Sequence, residues 1–338
     1  MPCAGGGAEY LFSSPALRGP KAAWKLLGTL FESNYTVLTP FYPQNVVDVE
    51  FVTAGYFGNL AGDPRGGITR CLTNNGWDMG ANTQYYCGTQ AGGPGSKLEV
   101  NFTDPFAVGL FDWGCTGPNG KEGAKGLAAL EVHGDHNMWT MARTLSPSSP
   151  NQVTDAGRKI ITAWLGGGGR DAQALPRDLS LDPVTGALLQ QFVPELSNNL
   201  RTGDGSPLGV SSVQVEVVAD FTVAPGITPA PFGVTLYETP DGTFSQQVAV
   251  DLALELFTAG PVGGPLFIDP TEPQRYHVHI FTDNGMTSVI CNNRTAVTHS
   301  AHPLPPFATL LSLFGVDGVS VSVEWKAWAL RNASIVNM

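Results

Sequence analysis

Three closely spaced runs, MARTL at 141–145, GRKIITAWLGGGG at 157–169 and AQALPRDLSLDPVTGALLQQFVPELSNNLR at 172–201, say more about architecture than any other part of this chain. Each apolar segment is short and is broken by glycine, proline or asparagine, which is how strands joined by turns read. On that basis Met138–Thr144, Lys159–Leu165 and Leu175–Leu181 are strands, and the same pattern upstream marks Glu9–Ser13, Val46–Thr53 and Thr83–Thr89. Only Ala22–Leu30 hints at a helix, and a single amphipathic turn before a strand accounts for it as well. The even spacing of these strands suits sheets arranged as propeller blades.

Downstream the pattern changes. SNNLRTGDGSP at Ser197–Pro207 is polar and turn-rich. Beyond it Val213–Val217, His277–Phe281 and Val319–Val323 alternate with period two, the mark of strands with one buried and one solvated face, as in a β-sandwich. A domain boundary is therefore expected near residue 200.

The bulk numbers agree with an all-β chain. Among 338 residues there are 41 Gly and 26 Pro, and only 14% are charged, which favours turns and short strands over long helices. The formal charge of −11 argues against nucleic acid as a partner. No run of 18 apolar residues supports a membrane span. Five cysteines, Cys3, Cys71, Cys87, Cys115 and Cys291, show neither a CxxC pair nor metal-like spacing, so neither a disulfide framework nor a zinc site is indicated. His133-Gly134-Asp135-His136 offers half a metal site and no third ligand. Sequons stand at Asn34, Asn101, Asn293 and Asn332. Met1–Gly7 has neither a basic nor an apolar region, so it is not a signal peptide.

Several ordered motifs resemble glycoside hydrolase family 32, the invertases, fructan hydrolases and fructosyltransferases. They are Asp112-Trp113-Gly114, Trp139–Thr144, Gly157-Arg158-Lys159, Trp164, Leu175-Pro176-Arg177-Asp178-Leu179 and Pro194-Glu195-Leu196. Upstream, Gly7–Ser14, Leu17–Trp24 and Gln84–Thr89 are similar to the strands that flank the family's acid/base. Downstream, Phe281, Asp283 and Asn292 fit a strand pair of its second domain, where Gly285 replaces a serine and Ser288 a glutamate. The resemblance implies a partial five-bladed β-propeller over residues 1–197 followed by a β-sandwich over 205–338.

It also implies chemistry. A retaining glycosidase needs two carboxyl groups about 5–5.5 Å apart, one nucleophile and one acid/base. The family's nucleophile motif, asparagine-aspartate-proline-asparagine-glycine, is not found in this sequence. Asp63-Pro64-Arg65 and Thr103-Asp104-Pro105 read as turn formers. Glu50, in VVDVEFVTAGYF, aligns best with the acid/base, although Phe51 and Val52 replace a cysteine and a proline. Flanking Val49, Phe51 and Phe57 would desolvate Glu50 and keep it protonated; alternating Asp48 and Glu50 is equally how a solvent-facing strand reads. Asp112 fits a segment near the family's pocket. Trp77 and Trp139 could stack on a sugar ring or simply fill a core. Arg177 and Glu195 are expected to tie strands together rather than touch substrate.

The implied substrate is sucrose or a fructan, with no cofactor and no metal. The expected parent is a secreted or vacuolar enzyme, and this chain is expected to lack the blades that carry the nucleophile, to be inactive alone, and to self-associate through open blade edges. A non-catalytic carbohydrate-binding or structural β protein of the same ancestry is the other reading.

Overall fold

The computed structural model describes residues 172–269, 271–300 and 303–331 continuously. Before them it describes 8–13, 25–32, 56–58, 60–66, 69–75, 83–91, 99–101, 107–110, 112, 138–145 and 159–166. Every sheet among these residues is antiparallel. β1 (Ala8–Ser13) pairs with β2 (Lys25–Glu32). A second sheet holds β3 (Tyr56–Gly58), β4 (Thr69–Asn75), β5 (Thr83–Ala91), β6 (Glu99–Asn101) and β7 (Ala107–Leu110), with β6 and β7 both on β5. A third is centred on β9 (Lys159–Gly166), which pairs with β8 (Met138–Leu145), β10 (Ala172–Gln173) and β11 (Arg177–Leu181); β11 then pairs with β12 (Leu188–Phe192).

The expected strands from Glu9, Thr83, Met138 and Lys159 lie within β1, β5, β8 and β9. That from Leu175 starts two residues late at Arg177, behind Pro176, whose missing amide cannot join a ladder. Of Ala22–Leu30, read as a helix or as a turn before a strand, Lys25–Leu30 lies in β2 and is therefore strand, while 22–24 lie outside the described residues. Val46–Thr53 lies outside the described residues. Asp63-Pro64-Arg65 is the turn it was read to be: the Arg65 amide donates to Asp63 Oδ1 at 2.9 Å and the Gly66 amide to the Asp63 carbonyl at 3.2 Å. Gly62 follows Ala61, which forms an isolated bridge with Ser180 of β11, and stands at φ +75 against the Leu181 carbonyl, where any Cβ would collide.

A short helix, α1 (Pro194–Leu200), crosses the expected boundary. The sequence reading expects no helix here; Pro194 in the first turn and Glu195, which places negative charge there, are the signals that fit its start.

Beyond α1 two five-stranded sheets share one core. One runs β20 (Thr295–Ser300), β19 (Met286–Cys291), β18 (Arg275–Asp283), β13 (Val215–Val223), β22 (Val321–Ala329). The other runs β17 (Val262–Pro265), β16 (Leu256–Ala259), β15 (Gln246–Asp251), β14 (Phe232–Glu238), β21 (Leu310–Phe314). Val217, Ala219 and Phe221 of β13 meet Phe232, Val234 and Leu236 of β14, all of them fully buried. Burying each of the larger side chains stabilises by about 1.5–3 kcal/mol.

β13 and β22 begin two residues later than the alternation predicts. Ser212 Oγ accepts from the Gln214 amide, and Asp317 Oδ1 accepts from the amides of Val319, Ser320 and Val321, so these caps hold local turns where the ladder would start. Nor is the outer face of β18–β20 simply solvated. Phe281, Ile290 and Ala296 pack there on Phe192 of β12, with Leu175 and Leu196, in a second apolar cluster. One cysteine expectation is amended: Cys87 is disulfide-bonded, while Cys291 is free and buried, which pushes its thiol up.

Candidate functional site

Glu50 and Trp77 lie outside the described residues, as do His133 and His136. Trp139 is placed on β8 opposite Leu165, and its side chain is not among those described. Of the residues singled out for substrate, Asp112 is the one whose surroundings are seen. Among the described residues no group of three His, Cys, Asp or Glu is arranged to hold a metal ion.

Asp112 follows β7 and is 1% exposed. Its Oδ1 accepts from the Thr298 amide at 2.7 Å. Its Oδ2 accepts from Arg177 Nη2 and from Thr298 Oγ1, each at 2.7 Å. Arg177, fully buried at the start of β11, also donates from Nη1 to Gln190 Oε1 at 3.0 Å. Gln190 in turn reaches the Arg294 carbonyl from its side chain, at 3.1 Å, and the Asn293 carbonyl from its amide, at 2.7 Å. The network ties the second sheet, the third sheet and β20 into one seam. Ser288, standing where the resembled motif has a glutamate, is buried with Oγ 3.3 Å from Thr298 Oγ1. Both Asp112 oxygens are thus taken by groups of the protein. Arg177 ties strands together, as its sequence setting suggested.

A second polar cluster lies on the same seam. Glu216 on β13 has no exposed surface. Arg201, just past α1, donates to both its oxygens at 2.7 and 2.6 Å; Ser197 donates to it at 2.7 Å, and His279 Nε2 lies 2.7 Å away. A carboxylate only accepts, so the His279 proton resides on Nε2. Burial opposes ionisation of Glu216, but hydrogen bonds from His279, Arg201 and Ser197 outweigh it and hold the carboxyl down at about 2. Burial pushes His279 below its ordinary range against the pull of Glu216. Arg201 stacks on Trp328 with its guanidinium carbon 3.7 Å from the ring centroid. His277, 2.9 Å from Asp220, is the wetter neighbour.

Sequence reading missed Thr298, Glu216 and Ser197. Glu216 sits on the supposedly solvated side of VQVEV, and the groups that bury it come from α1 and β18. No local signal marks such a residue; only the short helix that covers it could have done so.

No protein-family model and no curated protein matches the chain. Solved structures do. A fructosyltransferase from A. japonicus is 15% identical with a TM-score of 0.64, over 98% of this chain and 64% of that one. A fructan 1-exohydrolase IIa from Cichorium intybus is 14% identical with a TM-score of 0.62, over 98% of this chain and 68% of that one. A glycoside hydrolase family 32 protein from Bifidobacterium adolescentis is 15% identical with a TM-score of 0.56, over 96% of this chain and 46% of that one. The chain therefore has a fold like that of glycoside hydrolase family 32 enzymes. It spans about two thirds of the length of the first two of these structures and less than half of the third.

Proposed function

We propose that this chain serves β-fructofuranoside chemistry, the hydrolysis or transfer of a fructosyl unit from sucrose or a fructan. The observation that carries the proposal is the likeness to fructosyl-processing enzymes over 98% of the chain, on residues that resemble the same family in order. In this reading the sheets before α1 are blades of a propeller, the pair after it is a sandwich, and the parent protein is secreted or vacuolar. Glu50 protonates the leaving glycosidic oxygen, a carboxylate nucleophile forms the fructosyl–enzyme intermediate, and water or a second sugar resolves it. No Asn-Asp-Pro-Asn-Gly motif occurs in the 338 residues, so the nucleophile is not supplied by that motif here. An acid without a nucleophile does not form the covalent intermediate, so the chain by itself is inactive.

The test is a sucrose and inulin hydrolysis assay on two proteins, the 338-residue chain and a longer in-frame parent that contains the nucleophile motif. Turnover by the parent and none by the chain is expected. Clear turnover by the chain alone overturns the inactivity, and an inert parent overturns the enzymatic reading.

One observation favours a non-catalytic carbohydrate-binding protein instead. Ser288 stands where the motif has a glutamate and is sealed beside Thr298, so the motif keeps Asp283 but carries no carboxyl at the glutamate position. Sugar binding without turnover by the parent would decide for it.

A further inference from the structure

Cys87 of β5 takes part in a disulfide and is fully buried. Cys291 is free, so the partner of Cys87 is Cys3, Cys71 or Cys115. Cys3 and Cys115 lie outside the described residues. The backbone of the second sheet speaks for Cys71. β4 and β5 pair in unbroken register from Thr69 opposite Thr89 to Asn75 opposite Thr83, and Cys71 stands directly opposite Cys87. On its other side Cys87 stands opposite Ala107 of β7.

Residues directly opposite in an antiparallel pair share a face of the sheet, with Cα atoms about 4.5–5.5 Å apart. A disulfide spans Cα atoms about 4.4–6.8 Å apart, so the ladder holds positions 71 and 87 within its reach. Spacing along the chain gives no sign of this pair, because the two cysteines are far from a CxxC arrangement. The hairpin of β4 and β5 brings them together.

We propose that Cys71 is the disulfide partner of Cys87 and that the bond staples β4 to β5. In its formation each thiol gives up its hydrogen and one S–S bond is made. The two electrons and two protons pass to a disulfide oxidant such as glutathione disulfide, whose own S–S bond breaks to give two thiols. The bond closes the segment 72–86 covalently, which removes conformations from the unfolded chain while the ladder already holds the ends together in the fold. β5 also pairs with β7, and Asp112 follows β7, so the staple anchors the strand beside the Asp112–Arg177 network. Bonds of this kind persist in oxidising compartments, which agrees with a secreted or vacuolar parent and does not rest on fructosyl chemistry.

The test is mass spectrometry of the 338-residue chain, folded in the presence of glutathione disulfide and then denatured in iodoacetamide without reductant. Trypsin releases Cys71–Lys97 as one peptide. That peptide is expected without alkylation and lighter by two hydrogen atoms than after reduction. Cleavage after Trp77 should leave its two halves joined until reductant is added. Alkylation of Cys71, or Cys87 joined to the peptide of Cys3 or Cys115, overturns the proposal. Stability gives a second reading. Cys71→Ser and the reduced, unaltered chain should share a urea midpoint about 1 M below that of the oxidised chain. A midpoint for Cys71→Ser equal to that of the oxidised chain refutes the staple.

Discussion

Arg177 and Arg201 each bind a carboxylate on the seam between the earlier sheets and the carboxy-terminal pair, yet they hold it by different physics. Arg177 and Asp112 are 0% and 1% exposed, so their attraction acts in a dry, low-dielectric setting and every polar atom in it must be matched. Arg201 keeps 31% of its side chain in solvent while Glu216 keeps none. There the carboxylate is buried and its cation is half wet, stacked on Trp328. The dry cluster fails when any member is removed. The wet one can be tuned by pH.

The largest expected effect is at the dry pair. Asp112→Ala leaves Arg177 buried without its carboxylate and is expected to cost about 3–5 kcal/mol in a urea unfolding titration. Replacing both, as Asp112→Leu with Arg177→Met, should recover only part of that loss, because the charges are gone but the buried Thr298 amide and Gln190 Oε1 lose these partners. A cost below about 1 kcal/mol for Asp112→Ala would erase the distinction between the two clusters.

Glu216 comes next. Its carboxyl lies at about 2 in the fold against 4.5 for the free group. The stabilisation is therefore complete above pH 4.5 and is lost as pH falls through 4.5 toward 2, and it amounts to about 3 kcal/mol. Glu216→Gln should lower stability at pH 7 and flatten that acid limb when unfolding is followed between pH 6 and 2. An unchanged limb would place the acid sensitivity elsewhere.

A smaller effect is expected from Arg201→Lys, which keeps the charge and loses the paired donors and the stacking on Trp328. About 1 kcal/mol is expected for this partly solvated group, and it should shrink in high salt. A loss as large as that of Asp112→Ala would mean that the two arginines hold the seam alike.

Much of the fold was legible because strand signals are local. Short apolar runs ended by Gly, Pro or Asn placed β1, β5, β8 and β9, and period-two alternation placed the heart of β13, β18 and β22. The errors were also local in cause. Ala22–Leu30 carries residues that serve a helix or a strand, and pairing with β1 decides for β2. The site was less legible. Asp112 stood out by its motif, but its partner Thr298 is 186 residues away, and no spacing announces such a meeting. Glu216 looks like an outward residue until α1 is laid over it. Burial of a polar group is a property of the element that covers it.

The most direct measurement is the turnover of sucrose by a nucleophile-bearing parent carrying Glu50→Gln, compared with Asp48→Asn and with the unaltered protein. A protonated carboxyl is needed at one place only, beside the glycosidic oxygen. Glu50→Gln should therefore cut kcat by at least about 10²-fold, the usual worth of a positioned general acid, while sugar binding and the fold persist. Aryl fructosides, whose leaving group needs little protonation, should suffer less. Asp48→Asn should have a far smaller effect. Equal losses for the two variants, or none for Glu50→Gln, would contradict the assignment of Glu50 as the acid/base.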